Sequence, residues 1–316
     1  SMSDAPKIQE EYRAKIPAIH TFCAMGWEYI APSECIELRG GIREVILKPV
    51  LLDVLKKRTF EYKGKIYPLS ANAIDQIVRD LVVASNLNDG LLTANERVYD
   101  LLLFGVTVTE FMPDGKKHHP TIPIIDWNNL RENRFQLTEE FDVINYSGIG
   151  ATRPDLVCFL NGIPVIVIEA KKPVSGDSKK HMIDEGISQH IRNQKPEYIP
   201  SLFAFSQILV SISETDAKYG TTKTPARFWA NWTDEEFDEV YFSEIKNRRL
   251  AGAVKQEIFQ NKQMKVQEYF EGLWSLPQLP TQQDRLLIGI LQHDRLLEFI
   301  RFFIIFDKRD GKIIAR

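Results

Sequence analysis

The sequence predicts an α/β protein in which helices flank a mixed β-sheet. Two observations predict this class. Short apolar, β-branched runs alternate with helical patterns along the chain, and some of these runs are joined as hairpins. Hairpins join antiparallel strands and strand–helix–strand units join parallel ones, so we expect both directions in one sheet. The 316 residues suffice for one large domain or two smaller ones.

The first hundred residues are mainly helical in pattern. Apolar residues recur at helical spacing along the segment 43–58. Ser70 and Asn72 are both suited to cap a following helix, because their side-chain oxygens can accept from unpaired backbone N–H groups. The predicted elements are helices over 9–25 and 43–58, a hairpin at Glu61–Tyr67, a helix from Ser70 or Asn72 to about Ser85, and a helix from Thr93 or Asn95 through Leu103.

Strands predominate from residue 106 to residue 212. The runs there are short, rich in β-branched and aromatic residues, and separated by Gly, Pro and Asp turns. The predicted strands are Val106–Phe111, Thr121–Trp127, Phe141–Asn145, Asp155–Leu160, Val165–Glu169 and Ser206–Ile212, with a helix over 181–193.

The character of the chain changes near residue 240. Residues 243–270 form a polar, lysine-rich helical region, and Gln282–Phe306 carries an apolar stripe that we interpret as core packing. We therefore predict a first domain over 1–240 and a mostly helical region over 241–316. A strand that begins at Lys312 stops at the last residue, which suggests that the chain is a piece of a longer protein.

The most informative stretch is a hairpin that carries two carboxylates. Asn161-Gly162 is the strongest short hairpin signal, and it pairs Leu160 with Ile163. Paired residue numbers then sum to 323, which places Asp155 opposite Ile168 and one residue from Glu169. Because side chains alternate along a strand, Glu169 and Lys171 share a face and Ala170 points away.

This combination of residues suits metal-assisted phosphodiester hydrolysis. The carboxylates of Asp155 and Glu169 and the backbone carbonyl of Ala170 are hard oxygen ligands for Mg²⁺. A lysine beside such an ion can position or activate a water molecule. Pro154-Asp155 followed by Glu169-Ala-Lys171 is the motif of PD-(D/E)xK nucleases. About one Glu-x-Lys triplet is expected by chance in a chain this long, so a solvated strand end is the alternative interpretation. The hairpin and its apolar strands argue against it.

Bulk properties restrict the setting without naming the function. The net charge of −3 gives no global basic surface, so any nucleic-acid contact must be local. Near the motif, Lys179, Lys180, His181, Arg192 and Lys195 either contact phosphates or form a solvated basic face. The three scattered cysteines have no disulfide or metal-ligand spacing, which fits a reducing, cytoplasmic setting, and no signal peptide or membrane-spanning run is present.

The chain resembles the N-terminal nuclease region of the R (restriction and motor) subunit of type I restriction–modification enzymes. The most specific feature is Asn161-Gly-Ile-Pro164 followed by Ile168-Glu-Ala-Lys171. The other matching landmarks are Leu38-Arg-Gly-Gly41, Asn95-Glu-Arg-Val-Tyr-Asp-Leu-Leu102, Gly105-Val106, Ile125-Asp-Trp127, Arg153-Pro-Asp155, Ile199-Pro-Ser-Leu-Phe203, Tyr219-Gly-Thr221 and Leu296-Leu-Glu-Phe-Ile-Arg-Phe-Phe303.

The resemblance implies a Mg²⁺-dependent endonuclease of double-stranded DNA, with a PD-(D/E)xK fold over 1–240. Asp155 and Glu169 would be metal ligands, with Mn²⁺ as a substitute metal, and Lys171 would be the catalytic lysine. Methyltransferase (M) and specificity (S) subunits would be partners. In this family an ATP-driven helicase motor follows, and Ile313–Arg316 resembles the run-in to its first motif. No Gly-x-x-x-x-Gly-Lys-Ser/Thr phosphate loop occurs in these residues, so ATP would belong to the longer protein.

Related nucleases also carry a Gln-x-x-x-Tyr motif that positions DNA. Gln189 lies in the predicted helix as expected, but Asn193 stands where the tyrosine would be. Gln194 and Tyr198 match the letters, although Pro196 between them disfavours a helix interior. We prefer Gln189.

A glutamate from a helix often completes such sites, and Glu11 and Glu96 are both candidates. Two alternatives to a nuclease remain at this stage. One is a non-catalytic module that links the motor to the methyltransferase, and the other is a small-molecule α/β enzyme with a deep apolar pocket.

Overall fold

The computed structural model describes residues 12–172, 182–232, 238–307 and 312–315. The helices are α1 (Lys15–Ala24), α2 (Pro32–Arg39), α3 (Lys48–Lys56), α4 (Ala71–Ala84), α5 (Leu91–Phe104), α6 (Met182–Asn193), α7 (Pro200–Phe203), α8 (Glu239–Lys246), α9 (Gly252–Phe259), α10 (Met264–Trp274), α11 (Gln282–Leu291) and α12 (His293–Glu298). Short 3₁₀ turns lie at Leu130–Glu132 and Ala226–Phe228, and a π-helical turn lies at Phe299–Phe303.

Most of the strands are short. The strands are β1 (Glu28–Tyr29), β2 (Thr59–Tyr62), β3 (Lys65–Pro68), β4 (Val106–Thr107), β5 (Glu110–Phe111), β6 (Lys117–His118), β7 (Thr121–Ile122), β8 (Phe135–Glu139), β9 (Val143–Ile144), β10 (Ala151–Thr152), β11 (Leu156–Leu160), β12 (Ile163–Ala170), β13 (Ile208–Ile212), β14 (Ala217–Gly220), β15 (Ile304–Asp307) and β16 (Lys312–Ala315).

A mixed six-stranded sheet forms the centre of the protein, in the order β1-β8-β11-β12-β13-β14. The pairs β1–β8 and β12–β13 are parallel, and β8–β11, β11–β12 and β13–β14 are antiparallel. The predicted α/β class with a mixed sheet is therefore confirmed. Every residue of β8, β11 and β13 is buried, because helices and loops cover both faces of the sheet.

The predicted turn at Asn161-Gly162 is present between β11 and β12. Both residues have positive φ, 54° and 81°, as a two-residue hairpin turn requires. Asn161 is fully buried, and its side-chain amide donates to the carbonyl of Ile124 at 2.9 Å. A Cβ at Gly162 would lie 2.6 Å from the carbonyl oxygen of Leu47, so only glycine fits where the turn packs against the start of α3.

The predicted register of this hairpin is wrong by one residue beyond the turn. Leu160 pairs with Ile163 as expected, but a β-bulge between Cys158 and Phe159 shifts the register, so that Leu156 pairs with Ile168. Asp155 therefore lies opposite Glu169 instead of opposite Ile168. Residues directly opposite in an antiparallel pair point to the same face, so the bulge brings the two carboxylates onto one face.

Several boundaries differ from the predictions. Ser70 caps α4 through its hydroxyl, which accepts from the N–H of Ala73 at 3.1 Å. The helix expected from Thr93 or Asn95 begins earlier, at Leu91 after Gly90, and the helix expected over 43–58 covers only Lys48–Lys56. The strand expected at Val106–Phe111 is divided into β4 and β5, and the one expected at Thr121–Trp127 covers only β7. β4 pairs with β7, and β5 pairs with β6.

The helices after residue 240 pack on the N-terminal part of the chain. The indole N–H of Trp27 donates to the carbonyl of Leu291 at 2.9 Å, and the Gln283 amide donates to the carbonyl of Ala14 at 2.9 Å. The segment Gln282–Phe306, which carries the apolar stripe, forms α11, α12, a π-helical turn and the first part of β15. The domain boundary near residue 240 stays a prediction. Within the described residues, no helix is both long enough and apolar enough to cross a membrane.

Candidate active site

Two carboxylates meet where β11 begins and β12 ends. The Asp155 carboxylate accepts a hydrogen bond from the backbone N–H of Ala170 at 2.8 Å. The carbonyl of Asp155 accepts from the N–H of Glu140 at 3.0 Å, and the carbonyl of Pro154 accepts from Phe141 at 3.1 Å. The Pro-Asp dipeptide is thus fixed between the end of β8 and the end of β12.

Glu169 is fully buried, and the positive charges of Lys171 and Arg192 compensate its charge only in part. Its side chain is 0% exposed, and neither carboxylate oxygen has a hydrogen-bond partner among the described residues. Burial raises the pKa of Glu169 well above its ordinary value, and the negative charge of Asp155 raises it further. A buried carboxylate without partners is costly, so its presence here indicates a role other than stabilising the fold.

Lys171 reaches the same site from the end of β12. It shares a strand face with Glu169, and its backbone N–H donates to the carbonyl of Ile212 at 2.8 Å. Its ammonium group donates to the side-chain carbonyl of Gln189 on α6. The residue preferred from sequence for positioning DNA therefore contacts the candidate catalytic lysine.

Close packing of α6 on the sheet makes this contact possible. A Cβ at Gly186 would overlap the hydroxyl oxygen of Ser211, so glycine is required for this approach. The Ser211 hydroxyl donates to the carbonyl of Ile183 at 2.8 Å, which fixes the first turn of the helix on β13. Gln189 lies one turn after Gly186 and so projects over the end of β12.

The donor set fits a hard divalent cation. Asp155 and Glu169 supply carboxylate oxygens, and the unpaired oxygens of Glu169 are the groups that such a cation would satisfy. Among the described residues no group of three or more His, Cys, Asp or Glu side chains could hold a metal ion. A Mg²⁺ ion does not require three such side chains. It is commonly held by one or two carboxylates, and water and substrate phosphate complete its coordination shell.

A buried network of charges lies beside the two carboxylates and was not predicted. Glu139, at the end of β8, is 1% exposed. Its carboxylate forms ion pairs with Lys15 at 3.2 Å and with Lys262 at 2.8 Å. The Tyr29 hydroxyl donates to the same carboxylate at 2.7 Å. Lys15 also lies 3.5 Å from Glu140, the residue whose N–H holds Asp155. The alternation of apolar and polar residues in Phe135–Glu139 is the signal that would have revealed this strand.

The side chain of the other glutamine candidate forms hydrogen bonds with the backbone. Gln194 is buried, donates to the carbonyl of His190 at 3.1 Å and accepts from the N–H of Lys223 at 2.7 Å. Asn193 is fully buried as well, and the ring of Tyr198 lies 5.6 Å from the Arg192 guanidinium. The geometry therefore favours Gln189 over Gln194 as the residue that faces the site.

The structure says less about the two glutamate candidates and about the basic residues 179–181. Glu96 lies on α5, where the neighbouring Asn95 donates to the carbonyls of Phe203 and Ser206. These carbonyls precede the N-terminal end of β13, whereas Glu169 pairs with Ser211 near its other end. Glu11 and the segment 179–181 lie outside the described residues.

Comparison with known proteins decides the family. The model of the family described as "Type I restriction enzyme R protein N terminus" matches residues 7–228. The chain belongs to this family. The resemblance seen in the sequence is thereby confirmed.

Individual relatives carry the same description. The chain is 29% identical over 322 aligned positions to the "Putative type I restriction enzyme MjaIXP endonuclease subunit" of Methanocaldococcus jannaschii, covering 99% of this chain and 27% of that protein. It is 24% identical to the "Type I restriction enzyme HindI endonuclease subunit" of Haemophilus influenzae, covering 93% of this chain and 24% of that protein. The chain thus spans about a quarter of the length of these relatives.

Proposed function

We propose that this chain is the DNA-cleaving module of a type I restriction enzyme R subunit. The single observation that supports this most strongly is Glu169, a fully buried and unpartnered carboxylate beside Asp155, with Lys171 on the same face. Family membership supplies the context, since the relatives are named endonuclease subunits. The reaction is hydrolysis of a phosphodiester bond in double-stranded DNA.

Each residue of the site would have a separate role in this reaction. Asp155, Glu169 and the carbonyl of Ala170 would hold Mg²⁺, or Mn²⁺ in its place. When bound, the ion stabilises the negative charge that develops on the scissile phosphate. The Lys171 ammonium carries a positive charge to the same phosphate, and the Gln189 carbonyl orients it. The buried apolar strands beneath limit water around these groups, which strengthens their electrostatic effect.

The longer protein would supply what this chain lacks. ATP hydrolysis and translocation would belong to a motor outside these residues, because no phosphate loop is present here. Methyltransferase and specificity subunits would be partners in the complex, and the specificity subunit would read the DNA sequence. The proposed setting is the cytoplasm, where free cysteines such as Cys35 and Cys158 remain reduced.

The decisive test separates cleavage from translocation in the full-length enzyme. We expect Lys171→Ala to abolish DNA cleavage and to leave ATP hydrolysis and translocation intact, because the lysine acts only at the scissile phosphate. Lys57→Ala, an exposed lysine on the loop after α3, is the matched control and should cut like the wild type. Loss of translocation together with cleavage would show a structural role, and retained cleavage would place the active site elsewhere.

The two alternatives make different predictions. A docking module would show no metal-dependent cutting in the wild type, so the same assay tests it. A small-molecule enzyme would have a deep apolar pocket at the carboxylates. The structure has a cavity of about 190 Å³ lined by residues such as His20, Arg248 and Trp274, but its lining includes none of Asp155, Glu169 or Lys171.

A further inference from the structure

The hairpin that precedes the catalytic aspartate exposes two large apolar side chains. β9 and β10 pair through Ile144 with Ala151, and the chain between them forms the tip. On this tip Tyr146 is 62% exposed and Ile149 is 81% exposed. The hairpin then leads directly into Arg153 and the Pro-Asp dipeptide, so the tip is attached to the candidate active site.

The tip is an ordered structure and not a loose loop. The Asn145 amide donates to the carbonyl of Ile149 at 2.9 Å, and its side-chain oxygen accepts from the Thr152 hydroxyl at 2.6 Å. Gly148 has φ of +82° and donates to the carbonyl of Asn145 at 2.8 Å, which closes the turn. Hydrogen bonds thus fix the backbone while Tyr146 and Ile149 project outward, an arrangement typical of a binding element.

A basic segment, here residues 192–198 with Arg192 and Lys195, lies against one side of the tip. The N–H of Tyr146 donates to the carbonyl of Tyr198 at 2.6 Å, and the ring of Tyr198 lies 5.6 Å from the guanidinium of Arg192. Arg192 and Lys195 are both exposed. Arg192 lies one turn after Gln189 on α6, and its charge acts on Glu169 by lowering the pKa of that carboxyl. The basic segment therefore connects the tip to the catalytic residues.

Two cations near the tip are exposed, although the chain is acidic overall. The segments around the tip include the cations Arg153, Arg192 and Lys195 and the carboxylates of Asp142 and Glu197. The Asp142 carboxylate is already paired with Arg153 at 2.8 Å. This leaves Arg192 and Lys195 as cations without an ion pair among the described residues, next to an apolar tip.

We propose that the β9–β10 tip and the basic segment form a clamp for the duplex DNA that is cut. In this proposal Arg192 and Lys195 contact phosphates, while Tyr146 and Ile149 contact sugars and bases. Duplex DNA is favoured over a protein partner because the surface joins cations to apolar side chains and continues into the phosphodiester site. The proposal rests on the proposed function, since it assumes that the substrate is DNA.

The test measures DNA binding by the 316-residue chain itself, without metal, so that cutting does not interfere. The probe is a fluorescent duplex of about 30 base pairs, followed by anisotropy over a range of salt concentrations. Tyr146→Ser/Ile149→Ser should weaken binding about tenfold and leave the salt dependence unchanged. Arg192→Ala/Lys195→Ala should weaken binding and reduce the slope of log K against log salt, because fewer counterions are released.

Ile66→Ser is the matched control for the tip, because Ile66 is 66% exposed on the separate hairpin of β2 and β3. It should bind DNA like the wild type. Equal thermal midpoints of wild type and tip variants show that the fold is intact, and Tyr146→Ser alone serves if the double variant unfolds.

Different experimental results would contradict the clamp and the nuclease function. Wild-type affinity in a folded tip variant overturns the clamp, whether or not the wild type cuts DNA. An equal loss of affinity in Ile66→Ser also overturns it, since the effect would then not be local. Binding through the tip, together with a full-length enzyme that never cuts with Mg²⁺ or Mn²⁺, overturns the nuclease function and supports the clamp.

Discussion

Two buried glutamates at one end of the sheet have opposite electrostatic environments. Burial alone would raise the pKa of Glu139, but the positive charges of Lys15 and Lys262 outweigh it, so that pKa is lowered and the carboxylate is ionised. Glu169 has no ion pair among the described residues, and burial followed by the charge of Asp155 raises its pKa although Lys171 and Arg192 act in the opposite direction. Glu139 is thus a structural ion, whereas the charged form of Glu169 is disfavoured, which is the environment that we propose for a metal ligand.

Glu169→Gln should therefore change how stability depends on pH. The folded pKa of Glu169 lies above its unfolded value near 4.5, so the folded state binds the proton more tightly. Without metal, wild-type stability should fall as pH rises from that value through the folded pKa, and this fall should be missing in the variant. Thermal midpoints across this pH range measure the difference.

Millimolar Mg²⁺ should raise the wild-type midpoint at the upper end of that range and have little effect on Glu169→Gln. Glu139→Gln is the control, and it should lose stability because two buried lysines lose their partner. The difference in thermal midpoint between wild type and Glu169→Gln could instead be the same at all pH values, with or without Mg²⁺. That result would contradict the prediction that the Glu169 carboxylate lacks a partner.

At the scale of elements, the site depends on how closely α6 approaches the sheet. The helix carries Gln189 to Lys171, and it can do so because Gly186 leaves room for Ser211. A gain of even one methyl group at this contact must push the helix away or displace the serine, since cores are closely packed. The positioning of the lysine is therefore set by a residue that contacts no substrate.

Gly186→Ala should destabilise the fold by roughly 1–3 kcal/mol and reduce cleavage. The loss arises because the new Cβ overlaps Ser211 and moves Gln189 away from Lys171. Gly272→Ala on α10 is the matched control, since a Cβ there meets no atom within 4 Å. That variant should gain up to about 1 kcal/mol, as alanine favours a helix more than glycine does. Urea unfolding of both variants gives the comparison, and equal effects would contradict the close contact.

The sequence predicts local elements better than their register. The hairpin turn was predictable because Asn161-Gly162 is a strong local signal, and Ser70 was predictable as a cap for the same reason. The bulge in β12 was not predicted, although Pro164 in a central strand is a sign of one, since proline cannot complete the ladder there.

Several strands were not predicted, and for β1 and β8 the reason is that their pairing is set by distant residues. β1 has only two residues and becomes a strand by lying parallel to β8, more than a hundred residues later. The polar residues of β8 are buried because their partners are elsewhere in the chain, as with Thr138, whose hydroxyl donates to the carbonyl of Ile30 at 2.7 Å. The pair Asp155 and Glu169 was predictable from the motif, whereas the partners Lys15 and Lys262 depended on the tertiary fold.

For the whole molecule, the helices after residue 240 contact the end of the sheet near Asp155 by charge as well as by apolar packing. Lys262 lies between α9 and α10, is 8% exposed in its side chain and reaches Glu139 at 2.8 Å. Glu139 pairs in register with Leu156, the residue that follows Asp155. A buried ion pair therefore joins the helical region to the sheet beside the strand that carries Asp155.

Lys262→Met should lower the free energy of unfolding by about 3 kcal/mol, because it leaves a buried carboxylate with one lysine fewer. Arg97→Met is the control, since its pair with Asp89 is exposed and should contribute less than about 1 kcal/mol. Urea unfolding measures both losses. Similar losses in the two single variants would show that Lys262 behaves as a surface residue, and the helical region would then be held on the sheet by apolar packing alone.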